Sequence, residues 1–400
     1  MSPGIPLYAV LLAGALVFAG AAPAGKTAAG KEKRADTFNY ILGTQTIGVK
    51  YQFTKKTKLV ETASRILGMG SNILKISMGR KYCREDYGLP ERADILSLTD
   101  LASKEPSFKA VLDMPFGYYL IWAYTFSNGW RDEGFTGEHL EKEYKEMYGL
   151  ASYLLKRYAG TGKTFLLGNW EGDWHLHEGR DPKKDPDPQT TENMIAWLNV
   201  RQKAIDDAWR AAKPKGVHIY QYTEVNLVQK GMKGGASMVN DVLPYARVDF
   251  VSYSAYDTIN SKPGKAGEAL WEALDYIESK LARRPGLVGK RVFIGEYGFP
   301  LSAAGTAEKQ DEYARDISRS ALVWGCPFVL YWEFYCNEAD GEGNHKGFWL
   351  IDDKNKKQPF YNTLKDYYKQ SKKFVSEFKK EHKRPPTDEE FRKKAIEFLK

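Results

Sequence analysis

VFIGEYGFP, residues 292–300, is an apolar run that breaks on a glutamate, Glu296, set between glycine and an aromatic residue. LLGNWEGDW, residues 166–174, repeats the pattern around Glu171. Each reads as a β-strand that ends where its glutamate begins. Glutamate is a poor strand residue and a costly one to bury. Two of them at the C-terminal mouths of separate strands point to chemistry. Cleaving a glycosidic bond needs two carboxyls facing across a cleft, one as proton donor and one as anion. The simplest competing account gives each glutamate a structural Lys or Arg.

Six more strand-like runs surround these two: residues 40–49, 72–78, 118–126, 217–225, 249–256 and 328–335. They are short, apolar and rich in β-branched and aromatic residues, as strands covered on both faces are. Helical periodicity fills the gaps at 139–158, 192–212, 268–284, 307–324 and 362–378, with Thr190 or Thr191 as the expected cap of the second. Eight strands alternating with helices predict an α/β fold, a (β/α)8 TIM barrel over residues 38–368. The alternative is an open doubly wound sheet, but GTQTIGV after the first strand lacks the glycine-rich phosphate loop of that fold. In a barrel the functional loops sit at the C-terminal strand ends. Glu171 and Glu296 fall there, on strands four and seven. The polar segment 172–190, without helical period, is expected to wall the cleft.

The chain has 400 residues, with 42% hydrophobic and 14% aromatic content, enough for a large core and for sugar-stacking platforms. Half of its +8 net charge lies in residues 371–400, within a basic helical C-terminal tail, 369–400, and not in the body. Thr387 and Glu390 have capping-box spacing for a last helix. No motif for nucleic acid is present. Residues 1–24 read as a secretory signal peptide, with a retained membrane anchor as the alternative, and 25–37 as a flexible linker. The expected product is a secreted or periplasmic monomer with no stable membrane insertion once the signal is removed. Of the three cysteines, Cys326 and Cys336 bracket one strand, which leaves Cys83 with Cys336 as the pair a disulfide would use.

Over residues 38–368 the chain resembles the retaining glycoside hydrolases of clan A. The resemblance rests on Glu171 at the end of strand four and on IGEYG around Glu296. It implies Glu171 as acid/base and Glu296 as nucleophile. It also implies Tyr256 in DFVSYSAYD as a hydrogen-bond donor to the nucleophile, Trp332 in LYWEF beneath the cleaved sugar, and Lys75 in NILKISM where the clan has arginine. Asn169 would contact the sugar 2-hydroxyl. The chain departs from the clan in placing Trp170 between Asn169 and Glu171, in Ser254 where a histidine is usual, and in lysine for arginine. Trp170 and Trp174 offer an apolar wall that would keep Glu171 protonated. Glu224, Asn226, Glu333 and Asn337 are further subsite candidates. The implied partner is an oligo- or polysaccharide, with no cofactor and no metal. Asp173 is a rival to Glu171. A metal-dependent hydrolase built on Glu171, Asp173, His175 and His177, and a non-catalytic carbohydrate-binding barrel, are the competing functions.

Overall fold

In a computed structural model, the structure describes residues 35–127, 135–261 and 263–400. The expected signal peptide and most of the expected linker lie outside the described residues. Eight parallel strands close into a barrel in sequence order: β1 Leu42–Thr46, β2 Ile73–Met78, β3 Tyr118–Ala123, β4 Thr164–Gly168, β5 His218–Val225, β6 Phe250–Ser254, β7 Val292–Tyr297 and β8 Val329–Tyr331. The final pairing, Leu42 with Val329 and Thr44 with Tyr331, joins β1 to β8 and excludes the open sheet. β8 is shorter than its eight-residue apolar run: the chain leaves the ladder at Trp332, whose amide still donates to the Tyr297 carbonyl at 2.8 Å.

Expected helices form at Gly137–Arg157, Pro188–Ala212, Gly267–Ser279, Ala307–Trp324 and Pro359–His382. The second begins earlier than its periodicity suggests. Asp187 caps it, accepting from the Thr190 amide at 3.1 Å, and Pro188 fills the first turn, where a missing N–H costs nothing. Two of these helices are clipped to the barrel by a fully buried guanidinium. Arg201 reaches Glu143 at 2.7 Å and the Ala123 and Gly168 carbonyls at 2.7 and 3.2 Å, which ties the ends of β3 and β4 together just below the candidate site. The segment 172–190 holds a short helix, Gly172–Leu176, and a 3₁₀ turn, Glu178–Arg180, where no period was visible.

The basic tail docks. Helix Pro359–His382 runs through position 368, and Tyr367 and Tyr368 donate to the Tyr40 and Leu42 carbonyls at 2.7 and 3.1 Å. After a capping box at Thr387 and Glu390, helix Asp388–Glu397 packs Phe391 against Phe38, ring centres 4.9 Å apart, at the N-terminal end of the barrel. Its lysines and arginines are mainly the solvent side of an amphipathic helix. Cys83, Cys326 and Cys336 are all buried free thiols, so the expected Cys83–Cys336 disulfide is not formed. Among the described residues no helix is long and apolar enough to cross a membrane.

Candidate active site

Glycine sets the local geometry around Glu171. Gly168 ends β4, and a Cβ there would lie 2.4 Å from the Tyr222 ring; one on Gly172 would lie 2.9 Å from the Glu224 carbonyl. The chain between them turns out of the barrel and presents Glu171 at the mouth, as the residue capping the short helix Gly172–Leu176. Asp173 fixes this turn. Its buried carboxylate accepts from the Asn226, Leu227 and Met238 amides at 2.8, 3.1 and 2.7 Å, stitching the loop after β4 to two points of the connection between β5 and β6. Asp173 is thereby spent on structure and does not rival Glu171.

Glu296 stands near the end of β7, beside Gly295. A side chain at Gly295 would collide with the Ser252 hydroxyl, 1.7 Å from an ideal Cβ, and press on Glu224 Oε2 at 3.0 Å. That space is taken by a buried polar network. Lys75 Nζ donates to Glu224 Oε2 at 2.9 Å, to Glu296 Oε1 at 3.2 Å and to the Gly295 carbonyl at 3.1 Å. The same ammonium lies 4.4 Å from the centre of the Trp122 ring. Glu224 also accepts from the Ser252 hydroxyl at 2.6 Å and, through Oε1, from the Glu171 backbone amide at 3.2 Å.

Above the network a cleft of about 440 Å³ opens, walled by Ile47, Trp122, Trp170, Glu171, Tyr256, Glu296 and Trp332, with Lys81, Arg180, Asn337 and Glu338 around them. Of the residues singled out in the sequence, Glu171, Glu296, Tyr256 and Trp332 meet on this wall. Lys75, Asn169 and Glu224 do not: they are fully buried behind it, where Lys75 reaches Glu296 from within the protein and where Asn169 and Glu224, expected at the sugar, make contacts within the protein. Asn169 spends its amide on the Trp170 carbonyl at 3.1 Å. Trp174 is half-buried, on the short helix beyond Glu171, and is not on the wall. Tyr256 does not make the expected hydrogen bond to Glu296. It lies two residues past β6 on the turn Tyr256–Ile259, and its hydroxyl has no hydrogen-bond partner among the described residues. Trp332 donates to Glu338 at 3.3 Å. Glu333 turns away from the wall; one oxygen accepts from the Ile47 amide at 3.0 Å and the other is buried without a partner.

Trp122 escaped sequence reasoning. It is the second-to-last residue of the run YYLIWA of β3 and, with Trp170 and Trp332, gives the cleft three indoles, its ring centre 6.4 Å from the first and 6.3 Å from the second. Trp332 was picked out through the resemblance to clan A, which carries no counterpart for Trp122; its place near the C-terminal end of a barrel strand is the signal that could have found it. Gly295 and Ser252 carried no comparable signal.

Burial pushes Glu171 up to about 8, and the charge of Glu224 pushes the same way, while Ser254, Trp174 and Lys75 pull it down. Burial also raises Glu296; Lys75 opposes this, and Glu224 and Glu171 reinforce it. Tyr256 is raised by burial and by the carboxylates around it, so its phenol stays neutral. The metal alternative loses its ligands. Asp173 is committed to amides, His175 Nε2 lies 2.9 Å from the Tyr124 hydroxyl, and His177 Nδ1 lies 2.6 Å from the Lys184 carbonyl. Among the described residues no three His, Cys, Asp or Glu side chains are grouped to hold a metal ion.

No family model matches the chain, and no curated protein is detectably similar to it in sequence. Solved structures do match in fold. A GH5_18 protein from Bifidobacterium longum subsp. infantis superposes with a TM-score of 0.54 at 14% identity, over 82% of this chain and 78% of that one. A GH5_18 protein from Streptomyces cattleya, solved with Manβ1-4GlcNAc, gives 0.53 at 13%, over 82% and 80%. The exo-β-1,4-mannosidase Op5Man5 from Opitutaceae bacterium strain TAV5 gives 0.55 at 12%, over 87% of this chain and 63% of that one. The chain thus has the barrel of these glycoside hydrolases at a sequence distance where only the fold is shared visibly.

Proposed function

We propose that the protein is an exported retaining glycoside hydrolase that cleaves a β-linked oligo- or polysaccharide, with Glu296 as nucleophile and Glu171 as acid/base. One observation carries this: two buried carboxyls from β4 and β7 stand on one aromatic-walled cleft, and the nearby ammonium cannot neutralise both. Lys75 does touch Glu296, as a structural ion pair would. But it is shared with Glu224, so one positive charge serves three carboxyls. A cluster built purely for stability would not leave such an excess buried.

Between Glu171 and Glu296, Glu296 is the one that touches a cation, so it gives up its proton first. Glu171 keeps its proton through neutral pH. Glu296 attacks the anomeric carbon while Glu171 protonates the departing oxygen. A covalent glycosyl-enzyme forms, and Glu171, now a base, draws a proton from the water that releases the sugar. The indoles of Trp122 and Trp332 present ring faces to apolar sugar surfaces. The unpartnered Trp122 Nε1, Tyr256 Oη and Asn337 Oδ1 offer hydroxyl groups a donor and two acceptors.

The test is a screen of aryl β-glycosides, β-mannosides included, and of polysaccharides, with wild type beside Glu296→Gln. Turnover by the wild type that the variant lacks, with retention seen in the first-formed anomer by NMR, is expected. Glu296→Gly with azide should return the α-glycosyl azide. Binding without turnover across the panel would identify the carbohydrate-binding barrel instead. Export rests on residues 1–24, and sequencing the mature N-terminus checks it.

A further inference from the structure

We propose that Glu224, acting through the buried Lys75 ammonium and the Glu171 backbone amide, is a positioning residue that assigns the anionic role to Glu296 and the proton-carrying role to Glu171. This rests on the retaining-hydrolase assignment above and adds a third carboxylate to it. Glu224 is fully buried and does not reach the cleft wall, so it touches no substrate. All three of its contacts lead to functional groups or brace it toward them. Oε2 takes Lys75 at 2.9 Å and Ser252 at 2.6 Å; Oε1 takes the Glu171 amide at 3.2 Å. The ammonium it holds is the one that touches Glu296, at 3.2 Å.

The charges that face Glu224 come from every side of the mouth: Lys75 on β2, Glu171 after β4 and Glu296 on β7. Tyr222 on its own strand and Tyr256 after β6 also sense its charge, but burial keeps both phenols neutral. Three carboxyls and one ammonium cannot all be charged cheaply in a buried site. Glu224 takes the shorter bond from Lys75 together with a hydroxyl, and Glu296 shares the cation. Glu171, raised by burial and by Glu224 more than Lys75 lowers it, holds the proton. Lysine suits this better than the arginine its position suggested. A compact ammonium bridges two carboxylates from β5 and β7, where a planar fork would commit to one.

The experiment follows the titration of the Glu171 carboxyl by difference infrared or ¹³C-Glu NMR, with Glu171→Gln identifying the signal, in full-length protein. Glu224→Gln should move that titration down by about one pH unit, because it removes a like charge. Lys75→Met should move it up by a similar amount. Lys75→Met with Glu224→Gln together should return it near wild type, and this charge-neutral pair keeps the test available should Glu224→Gln fold poorly. The alkaline limb of kcat/KM on an active aryl glycoside should follow the same order. A Glu171 titration unmoved by Glu224→Gln, or moved in the same direction by both single variants, would overturn the proposal. A wild type inert on every glycoside would defeat the hydrolase assignment alone, since the titration is read without turnover.

Discussion

At the N-terminal end of the barrel, Phe391 stacks edge-on against Phe38 at 4.9 Å and Tyr367 and Tyr368 cap strand-end carbonyls of the β1 region. At the C-terminal mouth, Trp122 Nε1, Asn169 Oδ1, Tyr256 Oη, Glu333 Oε1 and Asn337 Oδ1 are buried without protein partners, and three carboxyls crowd one ammonium. Both ends leave single polar atoms unpartnered, Asn72 Oδ1 and Ser371 Oγ at the base among them, but the mouth gathers its own around a cleft together with uncompensated carboxyls, which is costly in the folded state and useful to a ligand. The two ends therefore answer differently to mutation. Changes at the mouth should cost activity and spare or improve stability; changes at the base should do the reverse.

The largest contrast is expected from Glu171→Gln and Glu296→Gln. Each should lower kcat on an activated glycoside by about 10²–10⁴-fold or more, while the melting temperature holds or rises. Equal loss of activity and of stability would mean that the glutamates serve the fold, and the contrast between the ends would vanish.

Next comes the pH dependence of that stability difference. Glu171 titrates at about 8 in the folded protein and near ~4.3 when unfolded. Below the lower value the carboxyl is protonated in both states and contributes nothing to the difference. As pH rises between the two values, the unfolded chain loses this proton and the native one does not, so the native state is progressively disfavoured. Above about 8 both are ionised and the penalty is complete. Glu171→Gln removes it. The variant's gain in melting temperature should therefore open from about pH 4 and level off near 8, with a ceiling of about 5 kcal/mol. A gain independent of pH would deny Glu171 its raised proton affinity. In wild type the same ionisation should cut kcat/KM as pH climbs through 8, since the acid is then lost.

The base gives the opposite sign. Phe391→Ala should destabilise by about 3–5 kcal/mol, through lost burial and the cavity left between the tail helix and Phe38, with kcat and KM unchanged. A loss of activity in the folded variant would show that the tail reaches the mouth.

The barrel was readable in the sequence because each strand is an apolar run of the right length, bounded by turn residues, and the helical periods lie between them. Glu171 and Glu296 stood out because a carboxylate at the end of such a run is costly to bury, and the structure places both on the cleft. What escaped notice depends on distances along the chain that no pattern records. Lys75, Glu224 and Ser252 come from three different strands, and only barrel closure shows that they form one network and that Glu224 points into it, not at substrate. The role of Asp173 was hidden for the same reason: the amides that occupy it lie more than fifty residues away. The tail looked like a solvated charged helix because its apolar face is sparse, yet Phe391 and Leu399 suffice to dock it. Asp187 was passed over as a cap because the apolar period starts several residues later.

The smallest expected effect lies at the seam between wall and network, at Trp122. Its ring underlies Lys75 at 4.4 Å and its Nε1 is unpartnered on the cleft. Phe at this position keeps an aromatic face for the ammonium and deletes the donor. If Trp122 belongs to the wall, the loss is one hydrogen bond to substrate, worth about 0.5–1.5 kcal/mol, and KM should rise roughly twofold to tenfold with kcat little changed. If it belongs to the network, the weaker ring face loosens Lys75, kcat falls with KM unmoved, and the pH profile shifts as it does for Lys75→Met. The split between kcat and KM thus decides on which side of Lys75 the substrate begins.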